Sequence, residues 1–188
     1  MGKDEHNPGQ GEEQNGDSGS SRPDPQPDDG VAWFELHFCP SVELISVVRR
    51  FIYDFLQRIL HEKDTVSRVA LATHELLENA VRYSTDGTAT IRIEVDRSDV
   101  PAVIIRIDNH AAPEHLPILE ASFAELRAEP DAFEHYCKVM ARNAKRTDGS
   151  GLGLARIRAE AEMDLDYELH GDVVRICART AIADEDAT

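Results

Sequence analysis

The sequence is poor in cysteine and in positive charge, and both shortages narrow what the protein can be. Its 188 residues include three cysteines, Cys39, Cys137 and Cys177. An odd number of scattered cysteines argues against a disulfide framework and predicts a reducing, cytoplasmic environment. The 20 lysines and arginines face 36 aspartates and glutamates, which gives a net charge of -16. Because phosphate backbones and anionic membrane surfaces repel such a chain, the sequence predicts no nucleic-acid partner and no membrane partner.

Long apolar stretches are missing as well. No run approaches the roughly 20 apolar residues that cross a bilayer. The N-terminus also lacks the apolar segment of a secretory signal. The length suits one ordinary domain that buries its own core without disulfides or metals.

Residues 1–30 lack aliphatic and aromatic side chains after Met1. They carry two basic and eight acidic residues among many Gly, Pro, Ser and Gln residues. Such a segment cannot bury enough apolar area to offset the entropy of ordering, so we predict a disordered acidic leader there. It serves either as a solubilising leader or as a docking tail. One folded domain is expected over 31–180, followed by an acidic tail at 181–188.

The rest of the chain shows alternating and helical apolar periods in a definite order. Apolar residues alternate from Val31 to Phe38, and they recur at helical spacing from Val42 and again after Asp64. Ser41 and Asp64 are the expected N-caps. Further along we predict strands at 88–95 and 102–108 that pair as a hairpin, then short helical pieces within 109–130 bracketed by Pro113, Pro117 and Pro130. Helices follow at 131–144 and 152–163, and strands at 165–170 and 173–179 form a second hairpin. This order predicts an α+β fold, a mixed and mostly antiparallel sheet with helices on one face.

The second predicted helix carries a polar pair. At 100° per residue, Glu75 and Asn79 stack one turn apart, opposite the apolar stripe that contains Leu76 and Ala80. A carboxylate beside a carboxamide oxygen can hold hydrated Mg²⁺, or a water that the carboxylate polarises. The same spacing fits an ordinary solvated helix face, and the pair alone does not decide between the two interpretations.

A glycine cluster precedes the last predicted helix. Gly149, Gly151 and Gly153 alternate in the segment 148–156, DGSGLGLAR, and run directly into that helix. Glycine lets backbone N–H groups approach an anion closely, and a helix N-terminus attracts negative charge, so the segment suits a phosphate chain. Its spacing matches neither a Walker loop nor a dinucleotide-binding fingerprint. A helix C-cap followed by a flexible joint is the alternative.

Together these segments resemble the ATP-binding domain of the GHKL superfamily, which gyrases and histidine kinases share. Residues 75–84 (ELLENAVRYS) resemble the N-box of that superfamily, and 149–154 (GSGLGL) resemble its second glycine box. Asp108 and Asn109 lie where its first glycine box belongs. The resemblance covers about 32–179 and implies a Bergerat-type α/β sandwich.

The resemblance implies a role for each matching residue. Glu75 would be the catalytic base, and Asn79 would ligate the Mg²⁺ that bridges the phosphates of ATP. Asp108 would accept a hydrogen bond from the adenine amino group. Residues 113–148 would form a mobile lid. Backbone donors to the phosphates would come from the segment that contains Gly149, Gly151, Leu152 and Gly153.

The lack of a membrane segment and of a phosphoacceptor helix pair narrows the resemblance to the anti-sigma factor and serine kinase branch. That branch implies an ATP-dependent serine/threonine protein kinase that phosphorylates a small antagonist domain and sequesters a regulator such as a sigma factor, with a homodimer expected. The first glycine box has no glycines here, since Asp108 is followed by Asn-His-Ala-Ala-Pro. A non-catalytic interaction module with a degenerate nucleotide pocket is therefore a second interpretation. The catalytic half of a split histidine kinase is a third.

Overall fold

The computed structural model describes residues 31–60, 62–97, 100–144 and 152–182, and within these ranges the chain forms five helices and five strands. The predicted leader, the residues after 182, and Gly149 and Gly151 lie outside the described residues. In chain order the elements are β1 (Val31–Phe38), α1 (Val42–Ile59), α2 (Lys63–Tyr83), β2 (Ser84–Asp96), β3 (Ala102–Ala111), α3 (Leu116–Ala128), α4 (Ala132–Asn143), α5 (Leu152–Glu160), β4 (Asp164–His170) and β5 (Val173–Ala181).

The five strands form one sheet in the order β1-β2-β3-β5-β4. All four neighbouring pairs are antiparallel, so the α+β prediction is confirmed with a sheet that is antiparallel throughout the described residues rather than mixed. The predicted pairings of β2 with β3 and of β4 with β5 are both present. Gly171, between β4 and β5, has a φ of +67°, a conformation that glycine adopts without steric cost.

One face of the sheet is apolar and the other is charged. The helix-facing isoleucines of β2 and β3 are at most 1 % exposed: Ile91, Ile93, Ile105 and Ile107. Removing such side chains from water supplies most of the favourable free energy of folding. On the opposite face, Arg92 donates to Glu94 at 2.7 Å, and Arg106 pairs with the same carboxylate. Residues that alternate along one strand thus belong to two different environments.

The first two helices begin close to their predicted positions. Ser41 is the N-cap of α1, as predicted, and its hydroxyl oxygen accepts from the N–H of Leu44 at 3.4 Å. The prediction that Asp64 is the N-cap of α2 is wrong, because α2 begins at Lys63 and Glu62 occupies the N-cap position. Asp64 lies instead in the first turn, where a carboxylate suits the positive end of the helix dipole. Helix α2 packs against α1, the sheet and α5, so more than one of its faces is covered.

Helix α3 is longer than the sequence suggested. Residues 116–128 form one helix where short pieces were predicted because of the prolines. Pro117 stands in the first turn of α3, where a missing N–H breaks no helical hydrogen bond. Helix α4 begins one residue later than predicted, after its N-cap Asp131, whose carboxylate accepts from the N–H of Glu134 at 2.8 Å. None of the described helices is long and apolar enough to cross a membrane.

The end of α3 is tied to α5 by Arg158. Its Nη1 donates to the carbonyl oxygens of Leu126 at 2.7 Å and of Glu129 at 2.6 Å, and its Nη2 donates to that of Pro130 at 3.1 Å. The last carbonyl groups of a helix have no partner within the helix. One guanidinium therefore satisfies the last-turn carbonyl of Leu126 and the carbonyls of the two residues that follow α3.

We expect Arg158→Met to lower the free energy of unfolding by about 1–3 kcal/mol, because the variant keeps an apolar stem but leaves these carbonyls without their charged donor. Urea unfolding followed by circular dichroism measures the change. Arg127→Met is the control, since Arg127 is 62 % exposed in its pair with Asp166, and such pairs contribute roughly 0–1 kcal/mol. Equal losses in the two variants would contradict the bridging role of Arg158.

Candidate functional site

Helix α2 places Glu75 and Asn79 one turn apart, as the sequence predicted. The face that carries them is not solvated, however. Glu75 is only 7 % exposed and Asn79 is half-buried. Helix α5 packs against α2 and covers this face, which the helical period of α2 alone did not reveal. The interpretation as an ordinary solvated face therefore fails.

The contact between α5 and α2 is made at Gly153. A Cβ atom at this position would lie 3.0 Å from Oε2 of Glu75 and 3.8 Å from Nδ2 of Asn79. Only a residue without a side chain lets the two helix backbones come this close without displacing Glu75. The second glycine box and the N-box, which were separate segments in the sequence, thus meet in one place.

The carboxylate of Glu75 is bound by an arginine of the same helix α5. Arg156 donates from Nη1 to Oε1 of Glu75 at 2.9 Å and from Nε to Oε2 of Glu160 at 2.8 Å. Burial, together with a hydrogen bond to Glu160, raises the pKa of Tyr136 on α4. These side chains join α2, α4 and α5 in one polar network beside Gly153.

A mainly apolar pocket begins at Asn79 and lies between α2, α3 and the sheet. It encloses about 50 Å³, far less than the ~300–1,000 Å³ of typical small-molecule sites. Among the described residues its lining contains no Asp, Glu, Lys or Arg side chain. The lining is formed by Asn79, Tyr83, Asn109, Ala111, His115, Leu116, Ile118, Leu119, Ser122, Leu154, Val174 and Ile176.

The structure brings Asn109 rather than Asp108 to this pocket. Asn109 is 8 % exposed and shares the helix-facing side of β3 with Ile107. Asp108 lies on the opposite side of the sheet, where its two carboxylate oxygens accept from Nε and Nη2 of Arg175 at 2.8 and 2.7 Å. Asp108 and Arg175 are also paired in register across β3 and β5. The carboxylate expected at the adenine end is therefore engaged elsewhere.

The residues that are present fit the phosphate end of a nucleotide. Asn79 lines the pocket with a carboxamide, a donor and acceptor that can serve Mg²⁺ through its oxygen. Leu152 begins α5, and at Gly153 a Cβ atom would press on the carboxylate of Glu75. Gly149 and Gly151 remain predictions, because they lie outside the described residues. Throughout the described ranges, no three or more His, Cys, Asp or Glu side chains gather into a metal site.

Sequence reasoning missed three residues of this site. Asn109 continues the alternation of Ile105 and Ile107, so strand parity would have placed it in the pocket instead of its neighbour. Arg156 follows Gly153 by three residues, a spacing that puts both on one helix face. His115 carried no signal, since its position depends on where α3 packs. Its ring meets that of Tyr83 edge-on, with centroids 5.2 Å apart.

Comparison with known proteins agrees with this geometry. A family model described as the histidine kinase-like ATPase domain matches residues 38–178, so the chain belongs to the histidine kinase-like ATPase family. The family resemblance inferred from the N-box and the second glycine box is thereby confirmed. Among solved structures, the chain is similar to one in the crystal structure of the SiaB–SiaC complex from Pseudomonas aeruginosa. The two share 16 % identity with a TM-score of 0.56, over 82 % of this chain and 92 % of that one. At that identity the likeness shows the fold alone. No curated protein matches the sequence.

We expect Gly153→Ala to destabilise the protein, although Gly to Ala within a helix ordinarily stabilises by about 0.5–1 kcal/mol. The new methyl group would press on Glu75, which Arg156 holds in place. In a Glu75→Ala background the same substitution should regain its ordinary stabilising sign, because the obstructing carboxylate is gone. Thermal and urea unfolding of the four proteins in this cycle measure the coupling. Additive effects would show that Gly153 and Glu75 do not press on each other.

Proposed function

We propose that this member of the histidine kinase-like ATPase family is an ATP-dependent protein serine/threonine kinase of the anti-sigma, partner-switching type. The observation that carries the proposal is the meeting of Glu75 and Asn79 with Gly153 at the start of α5, beside an uncharged pocket. A base, a metal ligand and a helix N-terminus are the parts that phosphoryl transfer requires, since this reaction depends mainly on positioning and charge neutralisation.

Asn79 would ligate Mg²⁺ through its amide oxygen, and Mg²⁺ supplies neutralisation of phosphate charge when it is bound. Backbone N–H groups at Leu152 and Gly153, with those of Gly149 and Gly151, would donate to the phosphates. For the adenine end of the nucleotide we propose Asn109 in place of Asp108. Its carboxamide oxygen can accept from the adenine amino group as a carboxylate would.

Glu75 would act as the general base of the transfer. Its carboxylate accepts the proton of a serine or threonine hydroxyl while that oxygen bonds to the γ-phosphorus of ATP. The bond from the γ-phosphorus to the β–γ bridging oxygen breaks in the same step, and ADP leaves with that electron pair. Burial of Glu75 excludes bulk water, which favours transfer to a protein hydroxyl over hydrolysis.

Helix α3 would be the part of the lid that admits the nucleotide. Four of its residues and its N-cap His115 line a pocket of about 50 Å³, which is too small for a nucleotide in this arrangement. The expected lid, 113–148, contains α3 and α4. We infer that α3 moves outward when the adenine of the nucleotide enters the pocket.

The partner would be another regulatory protein, such as an antagonist domain or a sigma factor, met in the cytoplasm. The similar chain comes from a structure of a two-protein complex, which supports a protein partner for this chain as well. A homodimer, which the anti-sigma branch implies, is compatible with this proposal. The small pocket and the glycine-free box after Asp108 favour one competing function, a non-catalytic interaction module that binds no nucleotide.

Glu75→Gln is expected to reduce phosphoryl transfer about 100-fold or more, since it removes the proton acceptor but keeps the shape of the side chain. Transfer of labelled phosphate from Mg-ATP to the candidate antagonist measures the rate, and calorimetry should show that Mg-ATP binding is not weakened. Glu78→Gln is the control, because Glu78 lies on the same helix with its side chain 54 % exposed. Undiminished transfer by Glu75→Gln would remove Glu75 from the mechanism. Failure of the unaltered protein to bind Mg-ATP would favour the interaction module.

Asn109→Ala should weaken Mg-ATP binding by about tenfold or more, because it leaves the adenine amino group without its hydrogen-bond partner in a buried pocket. Asp108→Asn is the matched control on the neighbouring residue. We expect it to leave nucleotide affinity unchanged within about threefold and to lower stability by roughly 1 kcal/mol through the weakened pair with Arg175. Calorimetry and urea unfolding give the two quantities. The reverse order of affinities would return the adenine role to Asp108.

A further inference from the structure

The ion pair between Glu75 and Arg156 has no part in the mechanism proposed so far. Arg156 occupies Oε1 of Glu75, and a Cβ atom at Gly153 would lie only 3.0 Å from the other carboxylate oxygen. A carboxylate held in this way offers little access to an incoming hydroxyl. Since a general base must come within hydrogen-bond distance of the proton that it removes, the pair has to loosen before Glu75 can act.

Arg156 is able to change partners. Its side chain is 39 % exposed, and its second partner, Glu160, is 37 % exposed at the helix surface. A guanidinium has five N–H donors in a fork that matches phosphate oxygens as well as a carboxylate. A terminal phosphate carries more negative charge than a carboxylate, so it competes effectively for the same cation.

The terminal phosphate would come within reach of this arginine. If Glu75 accepts the proton of the attacking hydroxyl, the γ-phosphate lies one bond beyond that hydroxyl oxygen. Arg156 already contacts Glu75 at 2.9 Å. The chain as a whole has a net charge of -16, so a nearby cation has an electrostatic purpose beside an entering nucleotide.

We propose that Arg156 is the residue that senses the γ-phosphate: it holds Glu75 in the absence of ATP and binds the terminal phosphate in its presence, which releases the carboxylate. The proposal rests on the proposed function, because it assumes that ATP binds beside Asn79. Since ADP lacks the group that draws Arg156 away, Glu75 is released only in the complex that can react. Arg156 thereby distinguishes ATP from ADP.

A purely structural arginine would behave differently. If Arg156 only fastens α5 to α2, its loss disturbs the glycine segment and weakens ATP and ADP binding alike. If it binds the terminal phosphate, its loss weakens ATP binding alone. The ratio of the two affinities therefore separates the two roles without any measurement of activity.

The experiment is calorimetric titration of the full chain with Mg-ADP and with a non-hydrolysable Mg-ATP analogue. We expect Arg156→Gln to lower affinity for the analogue about 10- to 100-fold, the loss typical of a charge-assisted contact, and to change affinity for ADP less than about threefold. Arg156→Lys should retain part of the preference, because it keeps the charge but loses the fork. Arg127→Gln, which alters an exposed arginine paired with Asp166, is the control and should leave the preference unchanged. Thermal unfolding of each variant verifies that it is folded.

Glu75→Gln gives an independent readout on the other side of the pair. It removes the charge that competes for Arg156, so affinity for the ATP analogue should rise a few-fold while that for ADP stays constant. The gain should vanish in the double variant with Arg156→Gln. An unchanged preference for the analogue in Arg156→Gln, or equal losses for both nucleotides, would overturn the role of Arg156 and leave the kinase proposal standing. Failure of the unaltered protein to bind either nucleotide would overturn both.

Discussion

The close approach of α5 to α2 at Gly153 is the constraint on which the site depends. A Cβ atom at this position would lie 3.0 Å from Oε2 of Glu75, so the carboxylate would have to shift. The same contact places Arg156 against Glu75 and brings Leu154 into the wall of the pocket. Because α2 also packs on the sheet, the position of α5 is fixed relative to β3 and its pocket-facing Asn109. The packing of these helices on the sheet therefore sets the geometry of the site.

An acidic domain that binds an acidic nucleotide must separate its own charge from the site, and this fold does so with the two faces of the sheet. Paired charges, among them Asp108 with Arg175 and Glu94 with Arg92, lie on the face away from the helices. The described lining of the pocket contains amides, rings, a hydroxyl and aliphatic groups instead. Neutral donors and acceptors bind polar ligand groups without adding repulsion, and among the described residues the charged pair of Arg156 and Glu75 lies beside the pocket residue Asn79.

Much of this fold could be predicted from the sequence, because periodicity reports which residues face a core. The bounds of β1 agree with the apolar alternation, and Ser41 caps α1 as its chemistry predicts. Predictions failed where a residue's surroundings come from elsewhere in the chain. The helical period marked the Glu75 face as the one away from the core, yet α5 covers it from a position about 80 residues later. Pro117 suggested a break, but its effect depends on whether it stands in the first turn of a helix or in the middle.

The motif match pointed to Asp108 as the pocket residue, whereas the structure places Asn109 there, and this difference has another cause. A motif compares residue types along the chain, whereas a strand assigns alternate residues to opposite faces of the sheet. Asp108 matches the motif in type but has the parity of Arg106 on the charged face, and Asn109 has the parity of the buried Ile107. When the two criteria conflict, parity decides, because a one-residue shift would move the apolar side chains of β3 into water and its charged residues into the core. A motif on a strand is therefore best assigned after the strand's buried face is known.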